Sequence, residues 1–284
     1  MPGQESENSN PDIMDAYAGV LHGDDNADMP PLPENADSSE LLDYMVLVLS
    51  RRLHVEKAFK GGYMLNQLLG NNSRMTYDVD FSIHLKEDYE QVKHVLQEIA
   101  DQFMNMGIIK DYKLKDTIEE RMSGGIDFYG DDGRKILGAD VGLHDIHWGI
   151  RQYQISVAVV QGFEIERMLS DKLIAILSRK RFRRTKDLYD FFAIICSFDC
   201  DYQKLSEYIK RRGNAEWENI PFSDVVLIEY KKAWEKLILR SSVTGEALYK
   251  PEFSTVIQQF YKIALPLKAE IDFQFWDHLK QELR

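Results

Sequence analysis

From Met75 to Lys86 apolar and polar residues alternate without a break: Met75, Tyr77, Val79, Phe81, Ile83 and Leu85 against Thr76, Asp78, Asp80, Ser82, His84 and Lys86. A period of two is the pattern of a β-strand with one buried face. It sends the Asp78 and Asp80 side chains to the same face, with their Cβ atoms ~7 Å apart. Like charges held that close repel unless something positive lies between or beside them. A divalent cation meets that need, and magnesium is commonly held by one or two carboxylates together with substrate phosphates. The plainer reading is a solvated strand face carrying two ordinary aspartates, so the decision rests on context.

Around this strand the pattern is mixed and then becomes helical. Residues 41–59 read as a helix, Gly61-Gly62 as a break leading into a second one, and residues 87–106 as a third. Strand-like runs follow near 108–113, 116–122, 125–129, 134–142 and 153–160, with a turn at "YGDDGR" between two of them. Helical periodicity then covers about 164–179, 184–198, 201–212, 222–240, 251–264 and 270–282. This predicts an α+β part at 41–162 and a helical part at 163–284, with no internal repeat.

Composition removes several classes of protein. At 284 residues and 44% hydrophobic, the chain is long enough to bury a substantial core. No apolar run reaches the ~18 residues of a membrane span, and the N-terminus lacks the order of a signal peptide, so the expected location is the cytoplasm. The net charge of -12 is unevenly spread: residues 1–40 hold ten Asp or Glu and no Lys or Arg, leaving the rest nearly balanced. That acidic leader has the composition of a solvated, mostly disordered segment, either solubilising or able to fold over a basic groove. Cys196 and Cys200, four apart in a helical pattern, read as buried thiols.

Three further features bear on the aspartates. Lys60-Gly61-Gly62 opens a helix, where free N–H groups and the helix dipole favour phosphate and glycine permits close approach. Asp140, in "ILGADVGLHD", follows an apolar run and is flanked by Gly138 and Gly142, consistent with a strand beside the first and with a third carboxylate for a two-metal site. His144 and His147, three apart with no other ligand in sequence, read as surface residues. In the helix beginning near 164, Ile165, Met168, Leu169, Lys172, Leu173 and Ile176 share a face, so Lys172 either snorkels or reaches a phosphate-holding cleft. Asp187 and Asp190 sit beside the next apolar stripe, able to hold Lys172, another basic residue or the substrate. Arg179, Lys180, Arg181, Arg183, Arg184 and Lys186 form either a solvated turn or an RNA-backbone contact.

"KGGYMLNQLLGNNSRMTYDVDF" resembles the glycine-pair, arginine and D-x-D signature of the AbiEii/AbiGii-type toxins, and "LSDKLIAILSRKRFRRTKDLYDFFAI" is similar to their later lysine and aspartate segment. These are nucleotidyltransferases of the DNA polymerase β superfamily, related to the MenT tRNA-modifying toxins, and the resemblance runs over roughly residues 55–200. It implies a polymerase-β-like α+β domain with a mixed sheet, followed by a C-terminal helical bundle. It also implies transfer of a nucleotide from NTP to an acceptor hydroxyl, with tRNA as the acceptor, Mg²⁺ or alternatively Mn²⁺ as cofactor, and an antitoxin protein as partner. Carried over residue by residue, Asp78 and Asp80 become metal ligands with Asp140 beside them, Gly61 and Gly62 the nucleotide-phosphate loop, and Lys60 and Arg74 its support. Lys172 becomes the functional lysine and Asp187 the later aspartate. Tyr63 departs from the pattern, since many superfamily members carry Ser or Thr after the second glycine. That departure argues for the alternative, a catalytically silent module of the same fold that binds RNA or an antitoxin.

Overall fold

The computed structural model describes residues 30–32, 35–115, 122–178, 184–213, 215–243 and 250–284. The acidic leader before residue 30, most of the strand expected at 116–122 and the basic residues Arg179, Lys180, Arg181 and Arg183 lie outside them. Helix α1 (Ser38–Arg52) starts at a capping box: the Asp37 side chain accepts from the Ser39 and Glu40 N–H groups while Glu40 accepts from the Asp37 N–H. Strand β1 (Lys57–Lys60), helix α2 (Gly61–Leu69), strand β2 (Asp78–Ile83) and helix α3 (Tyr89–Asn105) follow. Then come β3 (Asp111–Lys115), β4 (Ser123–Tyr129), β5 (Lys135–Leu143), β6 (Ile150–Gln154) and β7 (Val159–Phe163).

These strands make one mixed sheet of order β3-β4-β5-β2-β1-β7-β6, with β2 parallel to β5, β1 parallel to β7 and the other pairs antiparallel. In β2, Val79, Phe81 and Ile83 are completely buried. On the sheet, α1 packs against β2 and β5, and α3 against β4. The alternation seen in sequence runs past the strand at both ends, where Met75, Tyr77 and Leu85 are exposed.

The second half of the chain is largely helical: α4 (Ile165–Leu177), α5 (Thr185–Ser197), α6 (Tyr202–Arg212), α7 (Asp224–Val243) and α8 (Phe253–Lys268). Helix α4 packs on α5 and α6, and α5 packs on α7 and α8. A small antiparallel sheet, β10-β9-β8, is formed by β8 (Cys200–Asp201), β9 (Phe275–Asp277) and β10 (Glu282–Leu283). Among the described residues no helix is long and apolar enough to cross a membrane. Cys200 is buried and Cys196 partly so, both as free thiols.

Three expectations about elements are corrected. The helix expected over 41–59 stops at Arg52, and residues 57–60 form a strand between β2 and β7, since pairing on both edges outweighs the helical preference of so short a segment. The single strand expected at 153–160 is two strands, β6 and β7, joined as a hairpin. The helix expected at 270–282 is the β9–β10 hairpin, held by long-range pairing with β8 and by a bond from the buried Trp276 indole N–H to the Ile195 carbonyl at 2.6 Å.

Candidate active site

The register of β2 on β5 sets Asp78 opposite Gly138 and Asp80 opposite Asp140. On the other edge Asp80 is opposite Lys60, the last residue of β1. Cross-strand partners share a face, so Asp78, Asp80, Asp140 and Lys60 emerge together. They line a cleft of about 390 Å³ with Gly61, Gly62, Arg74, Thr76, Met168, Asp171, Lys172, Arg184, Lys186 and Asp187. Every residue singled out from the sequence as catalytic, nucleotide-binding or metal-ligating therefore borders one cavity.

Asp80 sits deep in the cleft, between Lys60 and Asp140 on the neighbouring strands. Burial pushes its carboxyl up to about 6, against the pull of Lys172 and Lys60 and with Asp140 and Asp78 adding to the rise. Gly61 explains how it fits: the glycine has φ +70°, and a Cβ there would fall 2.2 Å from Asp80 Oδ2. A Cβ on Gly62 would lie 2.9 Å from Thr76 Oγ1 and 3.3 Å from Arg74 Nη2. The glycine pair thus opens space first for the protein's own side chains. The first N–H groups of α2 receive no side-chain cap from Lys60, which leaves them available to an anion.

Lys172 lies between two carboxylates, donating to Asp187 Oδ1 at 3.0 Å and to Asp190 Oδ2 at 2.7 Å. Arg74 pairs with Asp190 as well, donating from Nη2 to Oδ2 at 2.9 Å, with Nε 2.8 Å from Oδ1 as an ion contact. Burial alone would raise the Asp190 carboxyl, but Lys172 and Arg74 outweigh it and hold it below the usual range. Among the described residues Lys60 has no such pair. Burial lowers its affinity for a proton, opposed by Asp171 and Asp80, and its Nζ sits 5.4 Å from the centre of the Phe163 ring.

Two lysines and an aspartate complete the site without having been singled out in the sequence. Lys135 Nζ is 2.6 Å from both Asp78 Oδ1 and Asp127 Oδ1. Lys115 Nζ is 2.5 Å from Asp140 Oδ1 and 2.9 Å from Asp127 Oδ1. Asp127, on β4, thus bridges the two ammoniums, which neutralise Asp78 and Asp140. No local pattern marks these residues, because strand pairing brings them together from β3, β4 and β5.

Tyr63 does not reach the cleft. It is buried and donates to Asp43 Oδ1 of α1 at 2.7 Å, and a second bond to the same oxygen comes from Gln67 at 3.0 Å. Among the described residues, the hydroxyl-bearing side chains that do border the cleft are Tyr77 and, beside the glycines, Thr76. His144 and His147 are not among the lining residues.

The oxygen donors fit a hard divalent cation. Asp78, Asp80 and Asp140 present only carboxylate oxygens on one face, and ammonium groups stand on two of them where positive charge is needed.

The sequence matches the family model described as nucleotidyl transferase AbiEii toxin, Type IV TA system, over residues 47–259. No curated protein gives a significant match. Among solved structures, JHP933 from Helicobacter pylori is similar at 15% identity and a TM-score of 0.43, covering 84% of this chain and 95% of its own. The antibiotic-resistance factor ANT(2'')-Ia is similar at 12% identity and a TM-score of 0.43, covering 61% and 90%. An antigenic nucleotidyltransferase-like protein from Paracoccidioides brasiliensis is similar at 18% identity and a TM-score of 0.37, covering 74% and 92%. With the family model spanning most of the chain, including β1 through α7, the protein is a nucleotidyltransferase and belongs to the AbiEii toxin family of Type IV toxin–antitoxin systems.

Proposed function

We propose that the protein transfers a nucleotide from a nucleoside triphosphate to a hydroxyl of tRNA with Mg²⁺, or alternatively Mn²⁺, as cofactor. It would act in the cytoplasm as the toxin of a toxin–antitoxin or phage-defence pair, with an antitoxin protein as its partner. The observation that carries the reading is the convergence of Asp78, Asp80 and Asp140 with Lys172 and the uncapped start of α2 around one cleft. In this reading residues 41–162 supply the carboxylates and the phosphate loop, and residues 163–284 supply Lys172 and Asp187.

Asp78, Asp80 and Asp140 would hold the divalent ion, which when bound neutralises triphosphate charge and polarises the α-phosphorus. The N–H groups at Gly61 and Gly62 receive phosphate oxygens, with the Thr76 hydroxyl beside them. Asp140 accepts the proton of the acceptor hydroxyl, whose oxygen bonds to the α-phosphorus as the bond to the bridging oxygen breaks. Lys60 and Lys172 face the departing pyrophosphate, whose growing negative charge they stabilise. Arg74 acts through Asp190, which fixes the Lys172 ammonium. Arg184 and Lys186 carry positive charge on the rim, where an RNA backbone would meet it.

The test is incubation of the full chain with tRNA, Mg²⁺ and each α-labelled NTP in turn. Label in the RNA, lost with Asp80→Asn, is the expected result. RNA that is bound but never labelled, with either ion and any NTP, would turn the reading to a binding module. Tyr63, the residue that would favour such a module, lies buried in the core, away from the cleft.

A further inference from the structure

Strands β2 and β5 run parallel and end together, with Ile83 opposite Leu143. The residues that follow each strand therefore leave side by side, about 13 Å beyond Asp80 at the usual rise per residue. From β2 comes His84, and from β5 comes the segment His144-Asp145-Ile146-His147. Asp145 Oδ1 accepts from the His147 N–H at 2.9 Å, a turn that folds His147 back over His84. The two imidazole rings meet with centroids 4.0 Å apart at 63°. One ligand atom from each of His84, Asp145 and His147 lies within 4.8 Å of the others. A fourth potential ligand, Glu56, comes from the residue before β1, its Oε2 3.9 Å from His147 Nδ1. None of these residues borders the active-site cleft.

We propose that His84, Asp145 and His147 form a second metal site, separate from the catalytic carboxylates and selective for Zn²⁺ over Mg²⁺, with Glu56 as the nearest fourth ligand. Two imidazole nitrogens with one carboxylate suit zinc, which takes His and Asp or Glu in tetrahedral sets, whereas magnesium prefers oxygen alone. The turn explains Asp145 without a metal, but it does not explain His84. His84 Nδ1 is withdrawn from solvent and has no hydrogen-bond partner among the described residues, an arrangement that costs free energy unless something binds there.

The loop is also braced as ligand loops are. Arg167 of α4, itself buried, donates to the Asp145 carbonyl at 2.6 Å and to the Trp148 carbonyl, and its guanidinium lies 3.9 Å from the Trp148 ring centre and 3.5 Å from that of Phe163. Arg211 of α6 lies over Trp148 and donates to Asp145 Oδ2 at 3.3 Å, orienting the carboxylate from behind. The cation would then tie the ends of β2 and β5 to the start of β1. His147, read from sequence as a surface residue, has its nearest potential co-ligands in Asp145 and in His84 from another strand.

The experiment strips the full chain with chelator and titrates Zn²⁺ against a chromophoric competitor, with Co²⁺ as a spectroscopic substitute. One equivalent is expected to bind, and the cobalt form should show the intense visible bands of tetrahedral coordination. His147→Ala, at an exposed position that the core does not depend on, should weaken binding about tenfold or more, as should His84→Ala. Asp78→Asn should leave the zinc affinity unchanged. Circular dichroism of each variant separates lost binding from lost fold. Wild-type protein that takes up no zinc, or that loses its zinc in Asp78→Asn while keeping it in His147→Ala, would overturn the assignment.

Discussion

At the residue scale the site is governed by close packing of charge and by two glycines. Gly61 combines a left-handed φ of +70° with an Asp80 oxygen 2.2 Å from where a Cβ would lie, so Gly61→Ala meets both a backbone and a steric penalty. A thermal melt should show the variant destabilised by about 1–3 kcal/mol, with Asp80 displaced and nucleotide binding weakened. Asp80→Asn should act the other way in the ligand-free protein. It removes a buried charge crowded by Asp78 and Asp140, so stability should be unchanged or slightly raised. With Mg²⁺ and NTP the order should reverse, because a ligand that binds only the native state stabilises it, and the variant binds less. Melts of both proteins with and without Mg²⁺–NTP make the comparison. A loss above ~2 kcal/mol in the ligand-free variant, a size typical of a broken buried network, would mean that Asp80 holds the fold.

At the scale of elements, α4 and α5 are joined by charge as well as by apolar contact. Lys172 from α4 meets Asp187 and Asp190 from α5, and Arg74, ahead of β2, holds Asp190 from the other side. Lys172→Met leaves the buried Asp190 with Arg74 alone. Breaking a buried pair by removing one partner costs about 3–5 kcal/mol, and the remaining arginine should keep the loss at the lower end. Urea unfolding of Lys172→Met and of Lys172→Met/Asp190→Asn tests this, the double variant recovering part of the loss if the unpaired charge is its cause. The lysine was legible from its position on the apolar face of a helix. Its aspartate partners were legible too, since Asp187 and Asp190 sit beside the apolar stripe of the next helix; the Arg74–Asp190 pair was not, because its members are 116 residues apart in sequence. The same holds for β1 and the β9–β10 hairpin. Lys57–Lys60 and Phe275–Asp277 are too short for their own periodicity to decide between helix and strand, and their partners lie elsewhere in the chain.

At the scale of the whole molecule, the end of the chain closes the core. Trp276 is almost fully buried beyond the last residue matched by the family model, and it ties β9 to the end of α5 through the Ile195 carbonyl. Trp276→Ala should therefore lower stability by about 3–5 kcal/mol, the usual cost of removing a buried large aromatic. Chemical denaturation of the variant measures it, and an effect below ~1 kcal/mol would mark the hairpin as an ornament on the fold.

What the sequence determined by itself was local. Covalent geometry makes alternate residues of a strand share a face, so Asp78 and Asp80 belonged together wherever β2 lay, and the glycine pair announced a tight helix start before any partner was known. Only the tertiary structure decided that Asp140 stands opposite Asp80, that Lys115 and Lys135 neutralise the carboxylates through Asp127, and that Tyr63 turns into the core. Those choices depend on strand register, where a slip of one residue reverses every side chain, and register is set by packing the whole sheet against its helices.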